Sequence, residues 1–432
     1  MATLRTRSLL VSLCSAAAIA AFGACSGLKS GEGSGDDAGT PSPSTTTSGP
    51  RPDGALLDGA TPPTPDAETQ NETGPSDATQ GDAQFQFDGG IVPRPTCVGV
   101  GAGTSESWVP NAGCRTGPGP CTFSKVTRVC KNGNCQKGLC QDLDFTAEAP
   151  STPGKFAYQV WGAAPDAIWA VGYGVHFWNG ATWTPVDIGI TLDNFTQAYA
   201  VAGTTREDVT ILTGNSNTGP MTLRRRDAGG VFRAVGQIND AVWGGGLFAL
   251  GQNKFLVHLG PKGAYLATPG SVSFLGLLYG FAGGQHYTNA LSGFKANDVL
   301  VASNGFDGTL FYDGAELKKF GAPAHAVLYV PDAIAAMSVG SKINIYDPTS
   351  GMPIGPQVDL AVELAATGTV WKGLDGTSLD RMFVCDADGI VGHRNATGWK
   401  RETIPTPMQM NSVFASPWGD VYVAGSRVWH GK

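Results

Sequence analysis

The chain has 432 residues, including 61 Gly and 28 Pro, and only 15% of its residues are charged. Globular proteins average about 25% charged residues and about 7% Gly, so the composition favours β structure with frequent turns over long polar helices. The net charge of −7 is concentrated in residues 26–96, which carry 11 acidic and 3 basic residues. The chain from Cys97 onward is therefore nearly neutral, which excludes the extended basic face that nucleic-acid binding requires.

The N-terminus predicts export. Residues 1–24 combine Arg5 and Arg7 with an apolar stretch from Leu9 to Phe22 and small residues before Cys25, the plan of a signal peptide. The sequence FGAC ending at Cys25 resembles the bacterial lipoprotein box, although Phe stands where that family has Leu. The resemblance implies that Cys25 carries acyl chains such as palmitate and holds the protein in a membrane. In that family, Ser rather than Asp after the cysteine, as at Ser26, implies the outer membrane or cell surface, with the periplasm as the alternative address. Ordinary cleavage to a soluble secreted form is the alternative to lipidation.

A flexible stalk and a cysteine-rich module are predicted next. Residues 25–96 contain almost no periodic apolar residues, so they cannot bury enough surface to offset the entropy of folding. Residues 97–142 contain six cysteines and no His. In an exported chain this pattern predicts three disulfides rather than a zinc site, with 15 possible pairings. The disulfide candidates are Cys97, Cys114, Cys121, Cys130, Cys135 and Cys140.

Residues 143–432 are self-similar. The first unit, Val160 to Val186, reads VWGAAPDAIWAVGYGVHFWNGATWTPV and has the pattern of four short antiparallel strands. Its landmarks are a Trp-Gly opening, an Ala-Val-Gly second strand and a third strand that ends in aromatic-Asn-Gly. Second-strand signatures recur at Asp208, Gly246, Asp298, Ala333, Asp380 and Asp420. Third-strand ends recur at Arg226, Leu259, Tyr312, Tyr346, Arg394 and Trp429, and fourth-strand aromatics at Phe232, Tyr265 and Trp399.

The mean period of about 42 residues is typical of a propeller blade. The sequence therefore predicts an all-β fold: a seven-bladed β-propeller of four-stranded antiparallel sheets. The seventh unit stops after its third strand, and either LDFTA (143–147) or KFAYQ (155–159) is expected to close the ring.

With these landmarks, residues 143–432 resemble the short-repeat propellers of exported lipoproteins from myxobacteria and related bacteria. The resemblance implies fold and location more than chemistry. The chain is also distantly similar to bacterial propeller scaffolds that assist the assembly of membrane complexes.

No residue set predicts catalysis, a cofactor or a metal site. His258 and His393 fall in one column of the repeat, with His176 and His430 close to it, which indicates structural histidines; His286 and His325 lie outside that column. Asp386 and Asp388 are interpreted as an Asp-Gly hairpin turn rather than a calcium loop. Cys385 is expected to be a buried thiol, and Arg224, Arg225 and Arg226 a solvated strand face.

One segment departs from the repeat. Ser273 to Tyr287, SFLGLLYGFAGGQHY, is either a partner-binding loop at the mouth of the ring or an ordinary fourth strand followed by a long connection.

The sequence thus predicts a non-enzymatic, lipid-anchored binding platform for protein or glycan. The alternatives are an exported carbohydrate-active hydrolase or lyase, which would need a carboxylate pair in the channel, and an assembly scaffold of an envelope complex.

Overall fold

The structure is a computed structural model. It describes residues 86–87, 90–91, 96–98, 103–110, 123–136, 138–148, 156–215, 219–239, 245–251, 253–277, 290–295, 297–303, 308–330, 333–338, 341–366, 370–405 and 408–432. All of them belong to one compact unit, residues 77–432. Within these ranges, no helix has the length and apolar character needed to cross a membrane.

The N-terminal part forms small sheets. A two-stranded hairpin lies in the segment predicted as stalk and comprises β1 (Gln86–Phe87) and β2 (Gly90–Ile91). A three-stranded sheet follows: β3 (Thr96–Val98), β4 (Thr104–Pro110) and β5 (Phe123–Val129). A 3-10 turn at Lys131–Gly133 leads into the pair β6 (Cys135–Gln136) and β7 (Leu139–Cys140). The strand β8 (Phe145–Glu148) then enters the repeat region.

Residues 145–432 form seven four-stranded antiparallel sheets in the described chain, named blades 1 to 7 below. Blade 1 comprises β9 (Ala157–Ala164), β10 (Ala167–Gly172), β11 (Val175–Trp178) and β12 (Trp183–Pro185). Blade 2 comprises β13 (Thr196–Gly203), β14 (Val209–Asn215), β15 (Met221–Arg226) and β16 (Phe232–Ile238). Blade 3 comprises β17 (Gly246–Gly251), β18 (Lys254–His258), β19 (Ala264–Thr268) and β20 (Ser271–Gly276), with a 3-10 turn at Gly260–Lys262.

The remaining blades follow the same order. Blade 4 comprises β21 (Leu291–Lys295), β22 (Asp298–Val301), β23 (Leu310–Tyr312) and β24 (Leu317–Lys319). Blade 5 comprises β25 (Ala326–Val330), β26 (Ala333–Met337), β27 (Lys342–Tyr346) and β28 (Val358–Asp359), followed by α1 (Leu360–Glu363). Blade 6 comprises β29 (Trp371–Ser378), β30 (Arg381–Asp386), β31 (Val391–Asn395) and β32 (Gly398–Glu402). Blade 7 comprises β33 (Met410–Ala415), β34 (Val421–Gly425), β35 (Val428–Gly431) and β8.

The blades are arranged in a ring. The first strands of consecutive blades contact one another, and β33 of blade 7 contacts β9 of blade 1. Six apolar clusters lie between neighbouring blades, so each sheet buries its faces against the next. Second strands such as β10, β26 and β34 are buried at every position because both of their faces meet a neighbour. Their Val and Ile residues favour strands, and their small Ala residues fit between closely packed sheets.

The ring closes through the N-terminal strand. Phe145 to Glu148 pair antiparallel with Gly431 to Val428, and the backbones of Asp144 and Lys432 exchange two hydrogen bonds. Of the two candidate segments, LDFTA therefore supplies the closing strand, whereas Ala157 to Gln159 of KFAYQ belong to β9, the first strand of blade 1.

Blade 3 corrects the strand assignment. The signature GLFALG at Gly246 forms the first strand β17 rather than the second, and the second strand is KFLVH. Leu259 consequently follows a second strand, and Tyr265 lies in the third strand β19 rather than the fourth. The Asp that precedes the second strand in most other units is absent here, so the pattern matched the apolar first strand instead.

Two disulfides staple the cysteine-rich module. They join Cys97 to Cys135 and Cys130 to Cys140. Cys114 and Cys121 lie outside the described residues. A module of this size has too small a core to be stable without such crosslinks.

The module contacts blades 6 and 7. Arg128 forms a bidentate ion pair with Asp420, one bond of which spans 2.8 Å. Arg381, a fully buried residue of β30, donates 2.8 Å and 2.6 Å hydrogen bonds to the carbonyl oxygens of Cys140 and Gly419. Ser107 Oγ donates to the Trp418 carbonyl oxygen at 3.2 Å. The module is thus fixed to blade 7, which β8 completes, and to the adjacent blade 6.

Candidate binding face

Side chains of the first strands bond the backbone of the next blade. Gln159 Oε1 in blade 1 accepts from the Val201 N–H of blade 2 at 2.8 Å. Ser292 Oγ of blade 4 accepts from the Tyr329 N–H of blade 5, also at 2.8 Å. Ser412 Oγ of blade 7 accepts from the Val160 N–H of blade 1 at 3.3 Å. These bonds run from one blade to a neighbour and hold the centre of the ring in a fixed geometry.

Asp375 belongs to the same set. Its Oδ2 accepts from the Ala415 N–H of blade 7 at 2.8 Å, and its Oδ1 accepts from the Gly376 N–H at 2.9 Å. Burial raises the pKa of Asp375 to about 7, although both backbone hydrogen bonds act in the opposite direction. Asp375 is the one acidic residue on the described first strands β9, β13, β17, β21, β25, β29 and β33. No carboxylate pair of the kind that the glycosidase alternative needs lies on them.

One end of the ring carries the passages that connect successive blades. In an antiparallel meander, the turns from second to third strand and the passages between blades lie at the same end. This end is named the connection face. Five of the ten exposed large apolar side chains among the described residues lie in the blade-to-blade passages on this face. They are Phe195, Leu277, Val362, Val370 and Met408.

Phe195 is held outward by a capped turn between blades 1 and 2. Asp193 Oδ1 accepts from the N–H groups of Phe195 and Thr196 at 2.7 and 2.6 Å. These hydrogen bonds hold the pKa of Asp193 below its usual value. Ile188, which is 1% exposed, anchors the start of the same passage in the core between blades 1 and 2. The Phe195 ring remains 56% exposed on this ordered support.

Val362 is presented by α1 between blades 5 and 6. Asp359 caps the helix by accepting from the Ala361 N–H at 3.0 Å, and it also accepts from Ser341 Oγ at 3.2 Å. Leu360 and Leu364 are buried in the core between blades 5 and 6, which leaves Val362 on the outer side with 76% exposure. A cap and two buried anchors therefore fix an apolar side chain in solvent.

The apolar excursion leaves blade 3 on this face. Ser273 to Gly276 belong to β20, so the alternative of an ordinary fourth strand is correct for this part. Leu277, which is 48% exposed, begins the passage to blade 4. Residues 278–287 of the excursion and His286 within it lie outside the described residues, so the loop interpretation stays a prediction.

Two histidines occupy equivalent places in the last two blades. His393 of β31 stacks on Phe383 at 4.3 Å, and its Nδ1 lies 3.1 Å from Glu402 Oε1. His430 of β35 stacks on Tyr422 at 4.2 Å, and its Nδ1 lies 2.9 Å from Glu148 Oε1. Burial lowers the pKa of His393 despite the bond to Glu402. The repeat thus reproduces a packed aromatic–His–Glu unit with a structural role.

The other described histidines do not take part in such an aromatic–His–Glu unit. His176 lies in the third strand β11, but His258 lies in the second strand β18, which corrects the column assignment. His325 Nε2 hydrogen-bonds the Trp371 carbonyl oxygen of blade 6 at 3.1 Å. Burial lowers the pKa of His258 and that of His325 to about 4. The described residues contain no group of three His, Cys, Asp or Glu side chains suited to a metal ion.

The acidic pair and the free thiol are structural. Asp386 Oδ1 accepts from the Asp388 and Ile390 N–H groups at 2.9 and 2.7 Å, which makes the segment a hairpin turn. Cys385 is a buried free cysteine, and burial raises the pKa of its thiol.

The arginine run lies on β15, where each side chain has its own partner. Arg225 pairs with Asp208 at 2.8 Å, Arg226 lies over the Trp169 ring at 5.6 Å, and Arg224 donates to the Ile188 carbonyl oxygen at 3.4 Å. The run therefore stabilises blade 2 and its neighbour instead of forming a patch.

Comparisons with known proteins establish the fold. No protein-family model matches the chain, and no curated protein matches it either. The solved structure described as YCF48 bound to D1 peptide is 13% identical, with a TM-score of 0.51 over 67% of this chain and 96% of that one. YCF48 from Cyanidioschyzon merolae is 11% identical, with the same TM-score over 66% and 98%. The WD40 β-propeller domain of Doa1 is 14% identical with a TM-score of 0.48, over 67% and 97%.

The chain folds as a β-propeller. At these identities the likeness concerns the fold alone. The sequence predicted that fold, but it did not single out Asp375, Phe195 or Val362. A turn-forming Asp two residues before Phe195 and an Asp directly before LAVE were the available signals.

Proposed function

We propose that the chain is an exported, lipid-anchored envelope protein whose propeller binds a protein partner through the connection face, without covalent chemistry. The observation that carries the proposal is the ordered presentation of exposed apolar side chains, above all Phe195 and Val362, at one end of a rigid ring. Apolar anchors on a preorganised surface are typical of protein-binding sites, because little conformational entropy is lost on binding. Loops on a rigid scaffold commonly carry binding residues.

The comparisons and the disulfides support parts of this proposal. A propeller of the same fold, YCF48, has been solved with a bound peptide, so a peptide or protein ligand suits this architecture. The two disulfides support export, since such bonds persist in oxidising compartments. The predicted lipid at Cys25 would hold the propeller at a membrane through the predicted stalk. An assembly scaffold for an envelope complex is one form that such binding could take.

A crosslinking experiment tests the binding face. A photoreactive residue is introduced at Phe195 or at Val362 in cells that produce the full chain. Matched controls place it at Met352 or Val231, which are 65% and 50% exposed in third-to-fourth-strand turns at the opposite end. We expect the same protein adduct from both positions on the connection face and none from the controls. Adducts of equal yield from both ends, or none from either face, would contradict the proposal.

The anchor is tested separately. Cells that express the chain are labelled with a palmitate analogue, with Cys25→Ser as the control. We expect label on the parent chain only, and an unlabelled parent chain would remove the anchor while leaving the binding proposal intact.

A further inference from the structure

The outermost strands of the blades differ in how they are protected. An outer strand exposes unpaired backbone N–H and C=O groups, and natural proteins shield such edges with charges, proline or short length. β16, β24, β32 and β8 contain charged residues, β28 has two residues and ends at Asp359, and β12 has three residues and ends at Pro185. β20, with the sequence SVSFLG, has six residues and neither a charge nor a proline.

β20 is also apolar on its exposed side. Phe274 is 54% exposed and Leu277, directly after the strand, is 48% exposed. Val272 and Leu275 point towards neighbouring blades and pack against the cores there. Among the described strands, β20 pairs only with β19, on its inner side. No described strand pairs with its other side, so in the described part of the chain this edge offers backbone groups and uncharged side chains to an extended strand.

We propose that this edge pairs antiparallel with β20 of a second copy of the chain, which joins blade 3 of two propellers into one eight-stranded sheet. A two-fold pairing brings the strand against itself, and like charges opposite each other destabilise a sheet. β20 is the described outer strand of more than three residues that carries no charge, so no register of its self-pairing opposes like charges. Pairing centred near Ser273 would place Val272 opposite Phe274 of the second copy and remove both Phe274 rings from water.

The test uses charges at Ser273, which is exposed and outside the core. The exported full chain carrying Cys25→Ser, so that no lipid mediates association, is analysed by sedimentation over a range of concentrations. We expect a monomer–dimer equilibrium. Ser273→Lys and Ser273→Glu should each raise the dissociation constant at least about tenfold. An equimolar mixture of the two variants should restore dimers, because opposite charges then face each other.

Thr184→Lys is the matched control. Thr184 is an exposed residue of the outer strand β12 in blade 1, so the substitution adds the same charge to an outer strand that is not adjacent to blade 3. It should leave the dissociation constant unchanged. Amide exchange in β20, followed by mass spectrometry, should slow with protein concentration in the parent chain and not in Ser273→Lys. A parent chain that stays monomeric, or a dimer that neither charge weakens, would overturn the proposal.

Discussion

Asp375 shows how one half-buried carboxyl couples the ring to pH. Burial raises its pKa to about 7 in the folded protein, whereas a carboxyl in the unfolded chain titrates near 3.9. Between these values the folded state retains a proton that the unfolded state has lost. The contribution of Asp375 to the free energy of unfolding therefore falls as pH rises from about 4 to about 7, and it is constant above and below that window.

Asp375→Asn should remove this slope. Three pKa units correspond to about 4 kcal/mol, and we expect on the order of 1–3 kcal/mol because the side chain is only partly shielded from solvent. Asn keeps one acceptor oxygen for the Ala415 N–H but loses the hydrogen bond from the Gly376 N–H. This loss should lower the free energy of unfolding by about 1 kcal/mol at every pH. Urea unfolding at pH 4.5 and pH 8 measures the difference. Asp388→Asn, in the next hairpin, controls for removing a carboxyl from this blade, and an unchanged slope in Asp375→Asn would contradict the assignment.

Arg128 provides a second test at this scale. Asp420 is 2% exposed, and although burial alone would raise its pKa, the hydrogen bonds and charges of His430 and Arg128 hold that pKa at about 2. Arg128→Met leaves a buried carboxylate without its main counterion. We expect a loss of about 3–5 kcal/mol in the free energy of unfolding at pH 7.

The matched control for Arg128 is another cation of β5. Lys125 forms a 2.8 Å ion pair with Glu106 at the surface, where its side chain is 46% exposed. Lys125→Met should cost less than about 1 kcal/mol. Equal losses for the two variants would show that Arg128 acts as an ordinary surface charge.

At the scale of elements, the closing strand turns an open array of sheets into a ring. Phe145 is 5% exposed and pairs with Gly431. Its ring packs so closely on Gly431 that a Cβ added to the glycine would lie only 2.8 Å from the ring. Phe145→Ala should cost about 3–5 kcal/mol, with faster amide exchange in β35. Thr146→Ala, an exposed change on the same strand, should cost less than about 0.5 kcal/mol. Unaltered exchange in β35 of Phe145→Ala would show that β8 does not hold the ring closed.

The same scale shows what the sequence can and cannot predict. Blade 1 and the second and third strands of blade 7 are predicted correctly because alternation, turn residues and aromatic third-strand ends agree there. Blade 3 was displaced because GLFALG and KFLVH are both short apolar runs, which periodicity alone cannot rank as first or second. The closing segment stayed ambiguous between two apolar runs, since only pairing with β35 distinguishes them. The hydrogen bonds that Gln159 and Ser292 accept from the backbone of the next blade depend on the geometry between blades, which no local sequence pattern encodes.

At the scale of the whole molecule, the disulfide module is connected to the propeller ring through Cys140. Cys140 lies at the end of the Cys130–Cys140 bridge, its carbonyl oxygen accepts from buried Arg381, and β8 begins at Phe145 shortly after it. Reduction of this bridge therefore frees the backbone that leads into the closing strand. The bridge spans a 10-residue separation, for which a chain-entropy model gives about 2–3 kcal/mol of stabilisation.

Cys130→Ser/Cys140→Ser should therefore lower the unfolding temperature and increase amide exchange in both the module and the β8–β35 pair. Cys97→Ser/Cys135→Ser removes the other described bridge, which does not involve the residue bound by Arg381, and should loosen the module while sparing β8–β35. Hydrogen exchange with mass spectrometry separates the two regions in a single experiment. If both double variants increased amide exchange in β8–β35 equally, the ring would depend on the overall stability of the module. The proposal that the Cys130–Cys140 bridge specifically supports the closing strand would then be wrong.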